Sequence, residues 1–179
     1  MFEWLHKTNV NCYVAQAMTG RKQSVIYFRN AYCTRVLEKH GIMVFSPVTA
    51  EDVKANKKKM NQPSQEQLKK FWKLDKFLIR HSHVLLDITG ASKSQGLLHE
   101  IGLSRYFFFK PVVRIMKVKG PSVALEEEDI LVPTVEKAAK LIIENWGTPW
   151  KRLKWKVNLF RRCFFSYLKT RIMWWFDWI

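Results

Sequence analysis

The sequence predicts an α/β domain built on a parallel sheet of about five strands with helices on both faces. Three observations predict it. Short, almost wholly apolar runs (Cys12 to Ala17, Ile42 to Phe45, Val84 to Ile88, Pro111 to Met116 and Ile130 to Val132) alternate with stretches of helical period. A strand without a polar face must be covered on both sides, which is the habit of parallel sheets. The intervening segments are long enough to be the crossovers that parallel strands require. The 179 residues suffice for one domain with a sizeable core plus an appendage.

In chain order, the first strand runs into a loop, Met18 to Arg21, and then a helix over Ser24 to His40. That helix is expected to bury Val25, Phe28, Tyr32, Val36 and Leu37, with Gly41 capping it. Pro47 stops the second strand, and Lys54 to Gln67, with Lys57-Lys58-Lys59, reads as a surface loop. Gln65 to Arg80 is helical, with Leu68, Phe71, Trp72, Asp75, Leu78 and Ile79 in register. The third strand is followed by a helix over Gly96 to Phe107. The acidic run Glu126 to Asp129 is a solvated loop before the last strand, and Thr134 to Trp146 is a helix with Val135, Ala138, Ala139, Leu141 and Ile142 along one face.

Composition narrows the function. A net charge of +16, from 31 Lys+Arg against 15 Asp+Glu, predicts an anionic partner such as nucleotide phosphate, nucleic acid or an acidic lipid surface. Cys12, Cys33 and Cys163 are odd in number and far apart, so neither a disulfide framework nor a zinc site is indicated, and a reducing cytoplasm fits. Met1 to Val10 has no uninterrupted apolar stretch of the secretory kind. His81, His83 and His99 have no ligand spacing, so no metal is expected.

Parallel sheets bind ligands beyond the carboxyl ends of their strands. That edge gathers Tyr13 to Arg21, Asp75 and Ser94 to Glu100. The segment Ser94-Gln95-Gly96-Leu97-Leu98-His99-Glu100 follows the third strand, so it presents a helix N-terminus to ligand with a lone carboxylate in the first turns. Plainer roles are available to each residue. Glu100 can complement the helix dipole, Asp75 can pair with Lys73 or Lys76, Ser94 can cap the helix, Tyr13 can pack in the core and Arg21 can lie on the surface.

Tyr13-Val14-Ala15, Met18-Thr19-Gly20-Arg21, the helical Asp75 and Ser94-x-Gly96-x-x-x-Glu100-x-Gly102, taken in order, resemble the nucleoside 2-deoxyribosyltransferase-like superfamily over roughly Asn11 to Met116. The resemblance implies a flavodoxin-like, Rossmannoid three-layer sandwich, cleavage or exchange of N-glycosidic bonds, no metal or redox cofactor, and a homodimer. By position, Glu100 matches the nucleophile, Asp75 the acid that serves the leaving base, and Tyr13 the tyrosine that positions the nucleophile. Ser94 stands where the transferases usually carry an aspartate, which is closer to the nucleoside 5′-monophosphate N-glycosidases, whose serine helps hold phosphate. Arg21 and Thr19 would be its phosphate partners, with Gly20, Gly96 and Asp87 completing the substrate-binding set. Ser82-His83 and Gln16-Ala17 depart from the family's usual acidic residue and Gly-small pair at the corresponding places.

The chemistry is consistent with these residue types. Glycosidic cleavage passes through an oxocarbenium-like state that a carboxylate captures, while a second acid protonates the departing group. An ionised Glu100 near a helix N-terminus and an Asp75 with its pKa raised by partial burial would divide those roles. The expectation is hydrolysis of a (deoxy)nucleoside 5′-monophosphate. Base exchange between nucleosides and non-catalytic nucleotide sensing are the alternatives.

The domain is expected to span 1–149, and 150–179 to form an amphipathic tail. Eight Lys/Arg and one acid lie between Trp150 and Ile179, and five of the eight tryptophans lie within this segment, with Trp146 just before it. Helical spacing aligns Trp150, Leu153, Val157, Phe160, Phe164, Leu168, Ile172, Trp175 and Ile179. Recurring charges exclude a membrane span; the pattern suits an interfacial helix on an anionic membrane surface, a helix packed on its own domain or a partner protein, and less well a nucleic-acid binder. The expected location is the cytoplasm, and the first of these readings would place the protein peripherally at the membrane.

Overall fold

The computed structural model describes residues 10–17, 22–50, 65–89, 95–115, 130–158 and 160–161. Five strands, β1 (Asn11–Ala15), β2 (Met43–Phe45), β3 (Val84–Asp87), β4 (Val112–Ile115) and β5 (Ile130–Val132), form one sheet in the order β2-β1-β3-β4-β5. Every pairing is parallel, with Tyr13 beside Phe45 and Leu85, and Asp87 beside Ala15 and Arg114. This is the flavodoxin-like order, in which the direction of winding reverses between β1 and β3 and opens a crevice at their carboxyl ends.

Side chains alternate across the sheet, as the strand period requires. Cys12, Val14, Val84, Leu86 and Val113 enter one core with α1 (Gln23–Lys39) and α5 (Val135–Trp146). Tyr13, Ala15, Leu85 and Val112 enter the other, with Ile79 of α3 (Gln65–His81) and Leu97 and Ile101 of α4 (Gln95–Gly102). Cys12 and Cys33 are free and buried, and burial pushes the Cys33 thiol up to about 12, so neither is poised as a nucleophile.

Local chemistry sets the helix ends. Gly41, at φ 75°, closes α1 in a Schellman motif: its N–H donates to the Glu38 carbonyl and that of Ile42 to the Leu37 carbonyl. Thr134 caps α5 by accepting from the Lys137 N–H at 3.2 Å. The sequence expectation for α1 needs correction. Its buried face is Ile26, Asn30, Cys33 and Leu37, whereas Phe28 is 74% exposed and Val25 and Tyr32 are also outside. The helix is rotated so that a narrow stripe of smaller residues meets the sheet; the Tyr32 hydroxyl donates to the Glu136 carboxylate at the surface.

Two further elements differ from expectation. A short helix, α2 (Pro47–Ala50), begins at the proline that ends the second strand region. The helix after β3 changes at Leu103 into a π-helical turn through Phe107, which takes Ser104 and Arg105 into the interior. The lysine-rich stretch before Gln65, the acidic run 126–129 and the tail beyond Arg161 lie outside the described residues. Within the described part of the tail, residues 149–158 are helical and 160–161 continue in helical geometry. Trp155 packs edge-on against Trp146, at 5.4 Å between ring centres, so the first turns of the tail rest on the domain. Trp150, Leu153, Val157 and Phe160 remain exposed.

Candidate active site

Strand alternation puts Tyr13 on the α3–α4 face of the sheet, one residue pair away from the carboxyl end of β1. Its ring is completely buried. Asp75 lies in the middle of α3 and Glu100 in α4, and both are half-buried. The Tyr13 hydroxyl is 3.1 Å from Asp75 Oδ1 and is also hydrogen-bonded to Glu100. A single phenol therefore joins two carboxyl groups carried by different helices. The structure brings together the three residues singled out as catalytic candidates.

The electrostatics follow from burial. Tyr13 is held far above its ordinary value by desolvation, then by the charges of Glu100 and Asp75, so its hydroxyl keeps its proton. Burial also raises Asp75 above the usual carboxylate value, with the Tyr13 hydrogen bond pulling the other way. A phenol has one proton to donate and two neighbours to satisfy. In the structure that proton is directed to Asp75 Oδ1, and the phenol oxygen keeps the capacity to accept from a protonated carboxyl group.

Gly96 is exposed in the first turn of α4, four residues before Glu100 and so on the same side of the helix. Ser94, Thr19, Gly20 and Arg21 lie outside the described residues. Asp87 stands beneath the crevice and is only 1% exposed. Its carboxylate accepts from Arg114 Nε at 2.9 Å and from the Thr89 N–H at 2.8 Å. The Thr89 hydroxyl in turn accepts from the Ala17 N–H at 2.8 Å. Asp87 and Thr89 thus fasten the chain leaving β3 to that leaving β1.

Arg114 and Thr89 escaped the sequence reading. The available signal was an arginine inside the otherwise apolar run Val112-Val113-Arg114-Ile115, which requires a buried anion opposite it. Gln16, also buried, donates from Nε2 to the Ile26 carbonyl at 3.3 Å and ties the loop after β1 to α1.

This architecture has solved counterparts. A 2-deoxyribosyltransferase from the psychrotolerant bacterium Bacillus psychrosaccharolyticus superposes with a TM-score of 0.55 at 19% identity, over 73% of this chain and 90% of that one. The chain shares the 2-deoxyribosyltransferase fold. A conserved protein from Enterococcus faecalis V583 superposes with a TM-score of 0.54 at 16% identity over 75% of this chain and 98% of that one. A CMP N-glycosidase from Clostridium botulinum, BcmB, aligns more loosely, with a TM-score of 0.44 at 16% identity over 74% and 97% of the two chains. No family model and no curated sequence matches the chain. The likeness to the 2-deoxyribosyltransferase fold is therefore one of structure, and the side chains of the crevice carry the argument about chemistry.

Proposed function

We infer that the protein cleaves the N-glycosidic bond of a (deoxy)nucleoside 5′-monophosphate, releasing base and sugar phosphate. The observation that carries this reading is the Tyr13 hydroxyl held between Asp75 and Glu100 at the switch point of the sheet. Glu100 attacks the anomeric carbon, with Tyr13 fixing the orientation of its carboxylate. The C–N bond breaks as the glycosyl–Glu100 ester forms, and Asp75, whose protonated form burial favours, gives its proton to the departing base. Water then hydrolyses the ester with Asp75, now ionised, as base. Ser94 and Arg21 are assigned to the phosphate, and Gly96 leaves room for it at the helix terminus.

Likeness to the 2-deoxyribosyltransferase fold supports a second outcome at the same site, in which a free base takes the place of water and the reaction is exchange. The deciding experiment is chromatographic measurement of free base from a panel of ribo- and deoxyribonucleoside 5′-monophosphates and the matching nucleosides, with and without an acceptor base. Wild type is expected to release base from monophosphates without acceptor, and Glu100→Gln to lose more than about 10⁴-fold of that rate. Equal rates in the two proteins would remove Glu100 from the mechanism. Turnover only with acceptor would assign exchange, and nucleotide binding without turnover would assign sensing.

A further inference from the structure

At the opposite, amino edge of the sheet lies a cavity of about 380 Å³ between the end of α3, the turn entering β4 and the first turns of the tail helix. Arg80, His83, Lys110, Arg152, Leu153 and Lys156 are among its lining residues, and none of the lining residues is a carboxylate. Three chain segments that are distant in sequence thus bring four basic side chains, Arg80, Lys110, Arg152 and Lys156, to one hollow.

The polar side chains of the hollow are held by specific partners. His83 accepts a hydrogen bond from the Asn11 N–H at Nδ1, at 2.9 Å, so that nitrogen is unprotonated. Burial, then Arg152, Lys110 and Lys156, push the imidazole down to about 4. Lys110 directs its ammonium to the carbonyls of Ile79, Arg80 and Ser82, capping α3, and is itself pulled down to about 7 by burial and Lys156. Arg152 donates to the Trp146 carbonyl at 3.2 Å. Two of the cations are therefore anchored to helix ends, where they pre-form the wall. The backbone at Phe109 is left-handed (φ 50°), and its ring meets Phe160 at 6.4 Å, which ties the turn before Lys110 to the tail.

Leu153 belongs both to the cavity and to the exposed stripe of Trp150, Val157 and Phe160. A cationic hollow beside exposed aromatic and aliphatic side chains matches a phosphate-bearing headgroup below an acyl boundary.

We propose that this cavity is a second, non-catalytic site for a phosphate monoester, presented by an anionic lipid such as phosphatidate or by a soluble phosphate compound. It lies on the other edge of the sheet from Glu100, so it stands or falls independently of the glycosidase reading.

The test uses the full chain. Co-sedimentation is measured with phosphatidylcholine vesicles with and without phosphatidate, and thermal stability with and without inorganic phosphate and pyrophosphate. The variants are Arg80→Gln/Lys156→Gln, both exposed cavity residues, and Lys151→Gln/Lys154→Gln, an equal loss of charge outside the cavity. In one arm or the other, the cavity pair is expected to weaken binding about tenfold more than the control pair, because direct charge-assisted contacts are stronger than diffuse attraction. Vesicle binding alone assigns the lipid source, and stabilisation by the soluble anions assigns the free one. Equal losses in the two pairs, or no binding of wild type in either arm, would overturn the proposal.

Discussion

Asp75 and Glu100 are the same kind of group, and the proposed reaction asks different tasks of them. The raised pKa of Asp75 means that its protonated form persists above the ordinary carboxylate range. If it is the acid, kcat/KM falls as pH rises through that raised value, and Asp75→Asn loses about 10²- to 10⁴-fold together with that alkaline limb. A pH–rate profile of the two proteins checks this, and a limb unchanged in Asp75→Asn would assign the proton elsewhere. These two carboxyls and Tyr13 were legible in the sequence because each sits at a distinctive place relative to a strand. Arg114 was not, because reading the run 112–115 as simply apolar concealed the one residue that demands a buried counter-charge.

Between elements, the Arg114–Asp87 pair joins β3 to β4 directly across the register, with both side chains at most 3% exposed. Arg114→Met leaves a buried carboxylate without its cation and is expected to lower stability by about 3–5 kcal/mol. Denaturant titration measures the loss, and restoring apolar balance with Asp87→Leu should recover part of it. The junction of α5 with the tail helix depends on Gly147. A Cβ there would approach the Ile143 carbonyl oxygen at 2.4 Å, so the backbone must move. Gly147→Ala is expected to cost about 1–3 kcal/mol, read as a lower Tm. Element existence was legible from periodicity almost throughout. The rotation of α1 was not, because its sequence offers apolar residues on more than one face and only the shape of the sheet selects Ile26, Cys33 and Leu37.

At the scale of the whole molecule, the chemistry proposed for the carboxyl edge and the anion site proposed for the amino edge leave the flanks for association. Trp72, Leu98, His99, Gly102, Leu103 and Phe107 line an apolar groove over α3 and α4, with Trp72, Leu98 and Phe107 notably exposed. A homodimer through this groove would bury it. Light scattering is then expected to give about twice the 21.3 kDa of one chain, and Leu98→Arg to return the mass to that of a monomer. Among the described residues no helix is long and apolar enough to cross a membrane. Among the described residues, the part of the tail's apolar stripe formed by Trp150, Leu153, Val157 and Phe160 was legible in the sequence as a period. The face by which the tail rests on the domain, Arg152 and Trp155, was not, because it depends on where Trp146 ends α5.

The interior position of β1, between β2 and β3, bears on the order of folding. Its partners β2 and β3 both follow it in the chain, and Tyr13 meets Asp75 only at a separation of 62 positions in sequence. No hairpin can hold this strand while the rest is synthesised or refolds, so its loop-closure entropy must be met before any of its pairings contributes. Refolding should consequently be slow for a domain of this size, with Tyr13 reaching its buried position late. Catalytic competence would then return together with the central sheet, leaving no active fragment on the way.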